Sequence, residues 1–251
     1  MSKSRHRRPL VRGYSITHPP GQVLLPTEPG WDQLLLAHSG LFTAHTHAQA
    51  WTVPGHRAIC VPDGHRVHIE TSRRVAIRCL YTRSTLALFG DRLRVVNLKP
   101  LTKELIYHAI RSAPMNLSQK ADAALLTLLT DQINQLHDAR LHLPFPVDSQ
   151  ARSVARAIMS EPAASLERHL KQAAMSRRTL ERRFRTETQM SLGQWRRRAC
   201  ILASIPMLTE GTSVTSVAYR VGYSSASSFI AAFRSELDAP PREFTRSAQL
   251  N

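Results

Sequence analysis

Paired histidines are the first candidates for chemistry in this sequence of 251 residues. His45 and His47 stand two residues apart, so on a strand both side chains would point to the same face. With His65 or His68 they have the residue types of a metal site. The alternative is a set of surface histidines on strands, and no pair of side chains stands out as a general acid and base. We favour the surface histidines and expect no catalytic site and no cofactor.

A second set of candidates has the side chains that hydrogen-bond to nucleic-acid bases. The segment 177–187 has helical spacing and places Arg177, Arg178, Glu181 and Arg182 on one exposed face. An arginine can donate two hydrogen bonds to guanine O6 and N7, and a glutamate can accept one from cytosine N4. The alternative is a solvated charged face, in which Glu181 pairs with Arg177 or Arg185 four residues away. We favour contact with DNA.

The charge of the whole chain supports a polyanionic partner. Lys and Arg number 34 against 18 Asp and Glu, a formal net charge of +16. Such a field favours nucleic acid or an anionic membrane surface. No apolar run is long enough to span a bilayer, and the basic start lacks the apolar stretch of a secretory signal. The three cysteines lack metal-ligand spacing, so we expect reduced thiols in a cytoplasmic protein without a membrane partner.

The elements that must position these residues differ between the two halves. Residues 20–100 contain short apolar runs between Gly and Pro turn signals, which predicts a β-barrel or sandwich. Helical periodicity begins near Thr102, and the segment 138–150, "DARLHLPFPVDSQ", has two prolines and no periodicity. The predicted organisation is a basic disordered tail (1–15), a strand-rich domain (16–137), a linker (138–150) and a helical domain (151–251).

One predicted helix of the first half has apolar residues spaced by three and four positions. They are Leu126, Leu129, Ile133 and Leu136. This spacing is typical of a helix–helix seam. The seam predicts either a homodimer interface or packing against the protein's own strands, and the sequence leaves both open.

The helical domain contains an internal repeat. Leu166 corresponds to Val214 at an offset of 48 residues, and Phe184 corresponds to Phe233 at an offset of 49. Each copy predicts a short helix, a turn at Ala174 or Gly222, and a longer helix, which is helix-turn-helix geometry. The longer helices are expected at about 177–187 and 225–236, with Ser176 and Ser225 as N-caps. Between the copies, Ser191 and Gln194 predict a capping box that starts a connecting helix, and Gly211 is placed to end it.

The residues of both copies resemble the AraC/XylS family of transcription regulators. The first copy is "MSRRTLERRFRTETQMSLGQW" and the second is "SVTSVAYRVGYSSASSFIAAFRSELDAPPREFTR". The resemblance implies an α+β multidomain fold. Its N-terminal part would be a cupin-like β-barrel with a helical segment, for effector binding and dimerisation. Its C-terminal part would be an all-α domain of two helix-turn-helix units joined by a long helix.

The resemblance also implies which residues contact DNA. Base contacts fall on Arg178, Glu181, Arg182, Ala226, Ser227, Ile230 and Ala231. Phosphate contacts fall on Arg177, Arg183, Arg185, Arg196, Arg197, Arg198, Ser225 and Arg234. Because the second set of base positions is small or apolar, we expect weaker base discrimination there. Gln189 and Asp238 replace the glycine that usually follows each recognition helix, and Asp238 would need a left-handed backbone conformation.

The implied partners are double-stranded DNA, an unidentified small-molecule effector and RNA polymerase. The cupin resemblance raises the metal question again, but the segment "PTEPGWDQLLLA" lacks the first His pair of that pattern and Val67 stands at its later His. The prediction is a sequence-specific transcription regulator, acting as activator or repressor. The alternative is a cupin-type metal-dependent enzyme or metal sensor with an attached nucleic-acid-binding domain.

Overall fold

The computed structural model describes residues 9–46, 48–55, 57–115, 117–173 and 175–249. They form two compact units. The first comprises the chain up to Phe42 and Gly55–Ala139, and the second comprises Thr43–Pro54 and the chain from Arg140 onward. Most of the predicted tail lies outside the described residues, whereas its last residues belong to a strand that begins at Val11.

The elements follow the predicted change from strands to helices. The strands are β1 (Val11–His18), β2 (Gly21–Leu24), β3 (Trp31–Ser39), β4 (Leu41–His45), β5 (Gln49–Pro54), β6 (Arg57–Val61), β7 (His68–Thr71), β8 (Val75–Arg83), β9 (Arg94–Asn97) and β10 (His142–Pro144). The helices are α1 (Pro100–Ser112), α2 (Lys120–Asn134), α3 (Ser149–Ser160), α4 (Leu166–Ala173), α5 (Arg177–Thr188), α6 (Leu192–Thr209), α7 (Val214–Arg220), α8 (Ala226–Leu237) and α9 (Pro241–Gln249). The predicted fold class is confirmed: a β-rich N-terminal half precedes an all-helical C-terminal half. Among the described residues, no helix is both long enough and apolar enough to cross a membrane.

The first unit is built on an antiparallel sheet with the strand order β1-β8-β3-β6-β9. The sheet is open, because β1 and β9 lie at its two edges, so it is not the single closed barrel that the word cupin suggests. Alternate residues such as Leu34, Leu36 and Leu80 enter a core with α1 and α2. Gly13 lies where α1 approaches β1: a Cβ there would stand 2.1 Å from the carbonyl oxygen of Ile110. β2 pairs with β7 in the same unit.

The predicted helix seam belongs to this core. Leu126, Leu129, Ile133 and Leu136 are each no more than 6% exposed and pack in one cluster with residues of α1 and the sheet. Of the two alternatives predicted for this seam, the structure shows packing against the protein's own elements. The other alternative, a homodimer interface through these four residues, is corrected, because side chains that fill the unit's own core are not available to a second copy.

The second unit orders the segment predicted to be a linker. β10 pairs antiparallel with β5, and Leu141 O accepts a hydrogen bond from Thr52 N at 3.1 Å. After this strand, Asp148 caps α3, since its Oδ1 accepts from Ala151 N at 2.9 Å. The absence of periodicity in this segment reflects a strand of three residues and a cap rather than an unstructured tether.

Candidate nucleic-acid interface

The first helix-turn-helix is formed by α4 and α5. Ser176 caps α5 by accepting a hydrogen bond from Thr179 N at 3.2 Å, as its position in the sequence predicted. Leu180 and Phe184 are fully buried, and the Phe184 ring meets the Trp195 ring edge to face at a centroid distance of 5.1 Å. This packing fixes which side of α5 faces the core. The turn residue predicted for this copy, Ala174, lies outside the described residues.

The second helix-turn-helix is formed by α7 and α8 with the same construction. Ser225 caps α8 by accepting from Ser228 N at 3.2 Å, and Phe229 and Phe233 are fully buried. Gly222 makes the turn with a φ of 89°. A Cβ at Gly222 would stand 3.1 Å from both Ala163 Cα and Pro162 O, so this turn requires glycine for its backbone conformation and for space.

The connecting helix α6 is capped at both ends. Ser191 and Gln194 form the predicted capping box, with both reciprocal hydrogen bonds present. At the other end Gly211, with a φ of 85°, directs its N–H to Leu208 O and the next N–H, of Thr212, to Met207 O. This is a Schellman motif, which satisfies the last carbonyls of the helix. The 18 residues of α6 span about 27 Å at the rise of an α-helix.

Three arginines of α5, those at positions 178, 182 and 185, are exposed and have no partner among the described residues. Arg178 and Arg182 lie on the solvent face of the helix, and neither guanidinium forms an ion pair or hydrogen bond within the part of the chain that is described. Arg177 and Glu181 form the pair that the solvated-face alternative predicted, with Nε and Oε1 3.0 Å apart and both side chains at least half exposed. An exposed pair of this spacing contributes only about 0.3–0.5 kcal/mol, so both groups can exchange it for another partner.

Of the arginines expected to contact phosphates, some are exposed and others are bonded to groups of the protein itself. Arg185 and Arg197 are exposed, whereas Arg183 is shared between Glu187 at 3.3 Å and Asp148 at 3.7 Å. Arg196 donates to Ala164 O at 2.8 Å.

Arg198, like Arg196, is half-buried and bonded within the unit. Its Nε donates to His142 O at 2.9 Å, and its Nη1 lies 3.6 Å from Glu236. Burial lowers the pKa of the Arg198 guanidinium, and the nearby Glu236 carboxylate opposes that shift. Arg196 and Arg198 therefore hold the unit together, and we remove both from the proposed phosphate contacts.

The corresponding face of α8 carries no cation in its first two turns. Ser227, Ile230 and Ala231 are exposed there and Ala226 is half-buried. The Ser225 hydroxyl is occupied by its capping bonds with Ser228. Arg234, one turn later, is exposed. This face can therefore offer methyl contacts and the hydroxyl of Ser227 to a partner.

Both residues that replace the usual glycine after a recognition helix adopt the left-handed backbone conformation. Gln189 ends α5 with a φ of 60°, and Asp238 ends α8 with a φ of 59°. The expectation for Asp238 is confirmed. The exposed Asp238 carboxylate also lies 3.8 Å from Arg140.

A network that the sequence did not indicate ties α5 to the segment after β10. The Glu187 carboxylate accepts hydrogen bonds from Val147 N at 2.6 Å and Asp148 N at 2.9 Å. Trp195 of α6 donates its indole N–H to Pro144 O at 2.5 Å. No local sequence pattern predicts these bonds, because each joins residues at least 39 positions apart.

The histidines do not assemble a metal site within the described ranges. Among those residues, no three His, Cys, Asp or Glu side chains are placed to hold a metal ion. His65 and His68 are exposed, His45 ends β4, and His47 lies outside the described residues.

Known proteins resemble this chain most clearly in its helical half. A family described as a helix-turn-helix domain matches residues 170–247. The chain is 25% identical over 214 residues to the HTH-type transcriptional regulator NimR of Escherichia coli K12, covering 84% of this chain and 78% of NimR. It is 33% identical over 75 residues to the regulatory protein SoxS of Salmonella typhimurium, covering 30% of this chain and 70% of SoxS.

A solved structure with similar sequence contains DNA. The DNA-binding domain of AdpA, in complex with a target DNA, is 32% identical, covers 40% of this chain and 92% of that chain, and superposes with a TM-score of 0.36. The two capped helix-turn-helix units, the connecting helix and the similarity to these regulators all indicate the same family. The chain belongs to the AraC/XylS family of transcription regulators.

Proposed function

We propose that this transcription regulator recognises its DNA sequence chiefly through α5. One observation carries the proposal: α5 is capped and anchored as a recognition helix, and its exposed face presents the unpaired Arg178 and Arg182. In a helix-turn-helix this face enters the major groove. The two arginines would donate to guanine edges, while Glu181 would accept from cytosine.

The helix α8 supplies a second, weaker set of base contacts in this proposal. Ile230 and the alanines at 226 and 231 would touch thymine methyl groups, and Ser227 would hydrogen-bond to a base edge. With α6 about 27 Å long, the two recognition helices would enter the major groove about one DNA turn apart. The remaining phosphate contacts are Arg177, Arg183, Arg185, Arg197 and Arg234. The N-cap Ser225 would contact a phosphate by exchanging the hydrogen bond that its hydroxyl donates to Ser228.

Regulation in this proposal comes from a small-molecule effector bound by the strand-rich half. Residues 43–54, which contain β5, belong to the same compact unit as the DNA-binding helices. From β5 the contacts run through β10 to Trp195 and Glu187. A shift of the paired strands β5 and β10 would therefore reach α6 and α5 directly. Coupling would require these contacts to differ between the effector-free and effector-bound states.

The other proposed attributes follow from the same role. The protein would act in the cytoplasm on double-stranded DNA and RNA polymerase, and it would not be an enzyme. Any homodimer would use surfaces other than the buried seam of α2.

Selection from a random DNA pool, followed by footprinting, tests this function. We expect an enriched site with two protected major-groove segments about 10 base pairs apart, and with the stronger base preference in the segment that contacts α5. A pool without any enriched sequence, or a site with preference only at the α8 segment, would contradict the proposal.

A further inference from the structure

The packing of α8 determines which of its side chains face outward. Phe229 and Phe233 are fully buried, and their ring centroids are 5.7 Å apart. Phe233 also meets the Phe244 ring of α9 edge to face, at a centroid distance of 5.4 Å. Ile230 follows the first of these anchors and, at 38% exposed, lies on the outward side. The helix is thus held by its aromatic side, and its outward face has a fixed position.

The outward face around Ile230 is apolar and uncharged. Ala226 lies one turn before Ile230, and Ala231 directly follows it. From Tyr223 to Phe233 the sequence contains no charged residue. Because the N-terminal part of a recognition helix meets the base edges of the major groove, the bases here would meet carbon atoms rather than cations.

The polar group of this face can bond to either kind of base edge. The Ser227 hydroxyl is exposed, and it has no hydrogen-bond partner in the part of the chain that the structure describes. A hydroxyl both donates and accepts, so it can donate to thymine O4 or accept from cytosine N4. The Glu181 carboxylate of α5, in contrast, only accepts. Ser227 therefore does not distinguish thymine from cytosine by its hydrogen bond.

Thymine and cytosine also differ at the C5 position of their major-groove edge. Thymine carries a methyl group there and cytosine does not. A cytosine methylated at C5 presents the same methyl group in the same place. A face that meets this position with Ile230, and offers a hydroxyl that both donates and accepts, responds to the methyl group rather than to the base that carries it.

We infer that α8 recognises the C5 methyl group itself, so that 5-methylcytosine can replace thymine in the DNA segment that contacts α8. The inference rests on the proposed function, because it requires α8 to lie in the major groove. Burying one methyl group changes affinity by about fourfold. Methylation of a cytosine in this segment would raise DNA affinity by that factor, and the protein would thereby respond to a covalent modification of its site.

Four versions of the selected DNA site test the inference. They differ at one base pair of the α8 segment, where selection has enriched thymine: thymine or uracil opposite adenine, and cytosine or 5-methylcytosine opposite guanine. Uracil lacks only the methyl group. We expect uracil and cytosine each to bind about fourfold more weakly than the methylated counterpart. Thymine and 5-methylcytosine should bind within about twofold of each other, and exchanging thymine for uracil outside this segment should change affinity by less than about twofold.

Two substitutions at exposed apolar residues locate the methyl contact. Ile230→Ser removes the apolar group, so thymine and uracil should then bind within about twofold of each other. Tyr219→Ser, at a residue of α7 that is 57% exposed, should keep the ratio of about fourfold and is the matched control. Each result is a ratio between two DNAs measured with one protein, so a smaller folded fraction does not change it.

The inference is overturned if uracil binds as well as thymine in the α8 segment, or if cytosine and 5-methylcytosine bind alike. An unchanged ratio of thymine to uracil affinity in Ile230→Ser would overturn it as well. These outcomes leave the selected site and its α5 contacts intact, and with them the proposed function. A selected site without thymine in the α8 segment also overturns the inference alone, whereas a selection that enriches no sequence overturns the proposed function and the inference together.

Discussion

Replacing Arg182 with alanine is expected to lower DNA affinity and relax specificity at one base pair. The guanidinium is exposed and makes no contact within the described protein. Its removal should therefore change the free energy of unfolding by no more than about 0.5 kcal/mol. A bidentate contact to guanine is worth about 1–3 kcal/mol of discrimination. The loss in affinity for the selected site should accordingly be roughly 5-fold to 150-fold.

Fluorescence anisotropy at fixed salt gives the required comparison. The wild type and Arg182→Ala are titrated with the selected site and with a set of single-base variants of it. In the wild type, the variants at the base pair that Arg182 contacts should bind more weakly than the selected site, as should those at the base pairs contacted by Arg178 and Glu181. In Arg182→Ala, the variants at the Arg182 base pair and the selected site should bind alike, while preferences at the other positions persist.

Arg185→Ala is the matched control, because Arg185 is an exposed arginine on the same helix but is proposed to contact phosphate. Its loss should weaken binding to all site variants equally and reduce the salt slope by about 1. The reasoning would be refuted if Arg182→Ala left affinity and base preference unchanged. It would also be refuted if Arg182→Ala behaved as Arg185→Ala should, with uniform weakening and no relaxed position.

Four smaller experiments test other parts of the structure. Ser227→Ala should cost less than about 1 kcal/mol in DNA affinity, and a larger loss than that of Arg182→Ala would reverse the proposed ranking of α5 and α8. Gln189→Gly should raise the free energy of unfolding by about 0.5 kcal/mol, because glycine relieves a left-handed conformation that costs other residues about 1–2 kcal/mol; an unchanged or lower melting temperature would argue against strain there. Glu187→Ala should lower the free energy of unfolding by about 1–3 kcal/mol, since two N–H groups lose their acceptor, and Glu187→Gln, which keeps an acceptor oxygen, should lose less in the same urea titration. Burial raises the pKa of the Cys60 and Cys79 thiols to about 12, so both should stay protonated and resist a thiol reagent at pH 7.5 until urea unfolds the chain, and rapid labelling of the native protein would contradict that burial.

The helix-turn-helix units were predictable because their signals are local. Serine N-caps and aromatic pairs four residues apart lie within one helix, and the predicted bounds of α5 and α8 differ from the structure by one residue. The same locality explains the confirmed capping box at Ser191. Exposure along α5 also follows from its periodicity, so Arg178 and Arg182 could be chosen from the sequence.

The remaining features depend on contacts between distant residues. Arg196 and Arg198 look like solvent-facing arginines in the sequence, but their acceptors are carbonyls 32 and 56 positions away. The pairing of β10 with β5 joins segments about 90 residues apart in the chain, which no spacing rule within 138–150 could indicate. The apolar seam of α2 could not be assigned because core packing and dimerisation bury the same side chains.

Because the first turns of α8 carry no cation, the DNA-binding half should bind its site in only one orientation. If α5 bonds to guanine edges and α8 touches thymine methyls, the two ends of the bound site differ in chemistry. An inverted site would set guanine edges against Ile230 and thymine methyls against Arg182, so one copy of the chain should accept only one orientation. The preferred operator would then be non-palindromic, and its orientation at a promoter would determine which side of the protein faces the start of transcription.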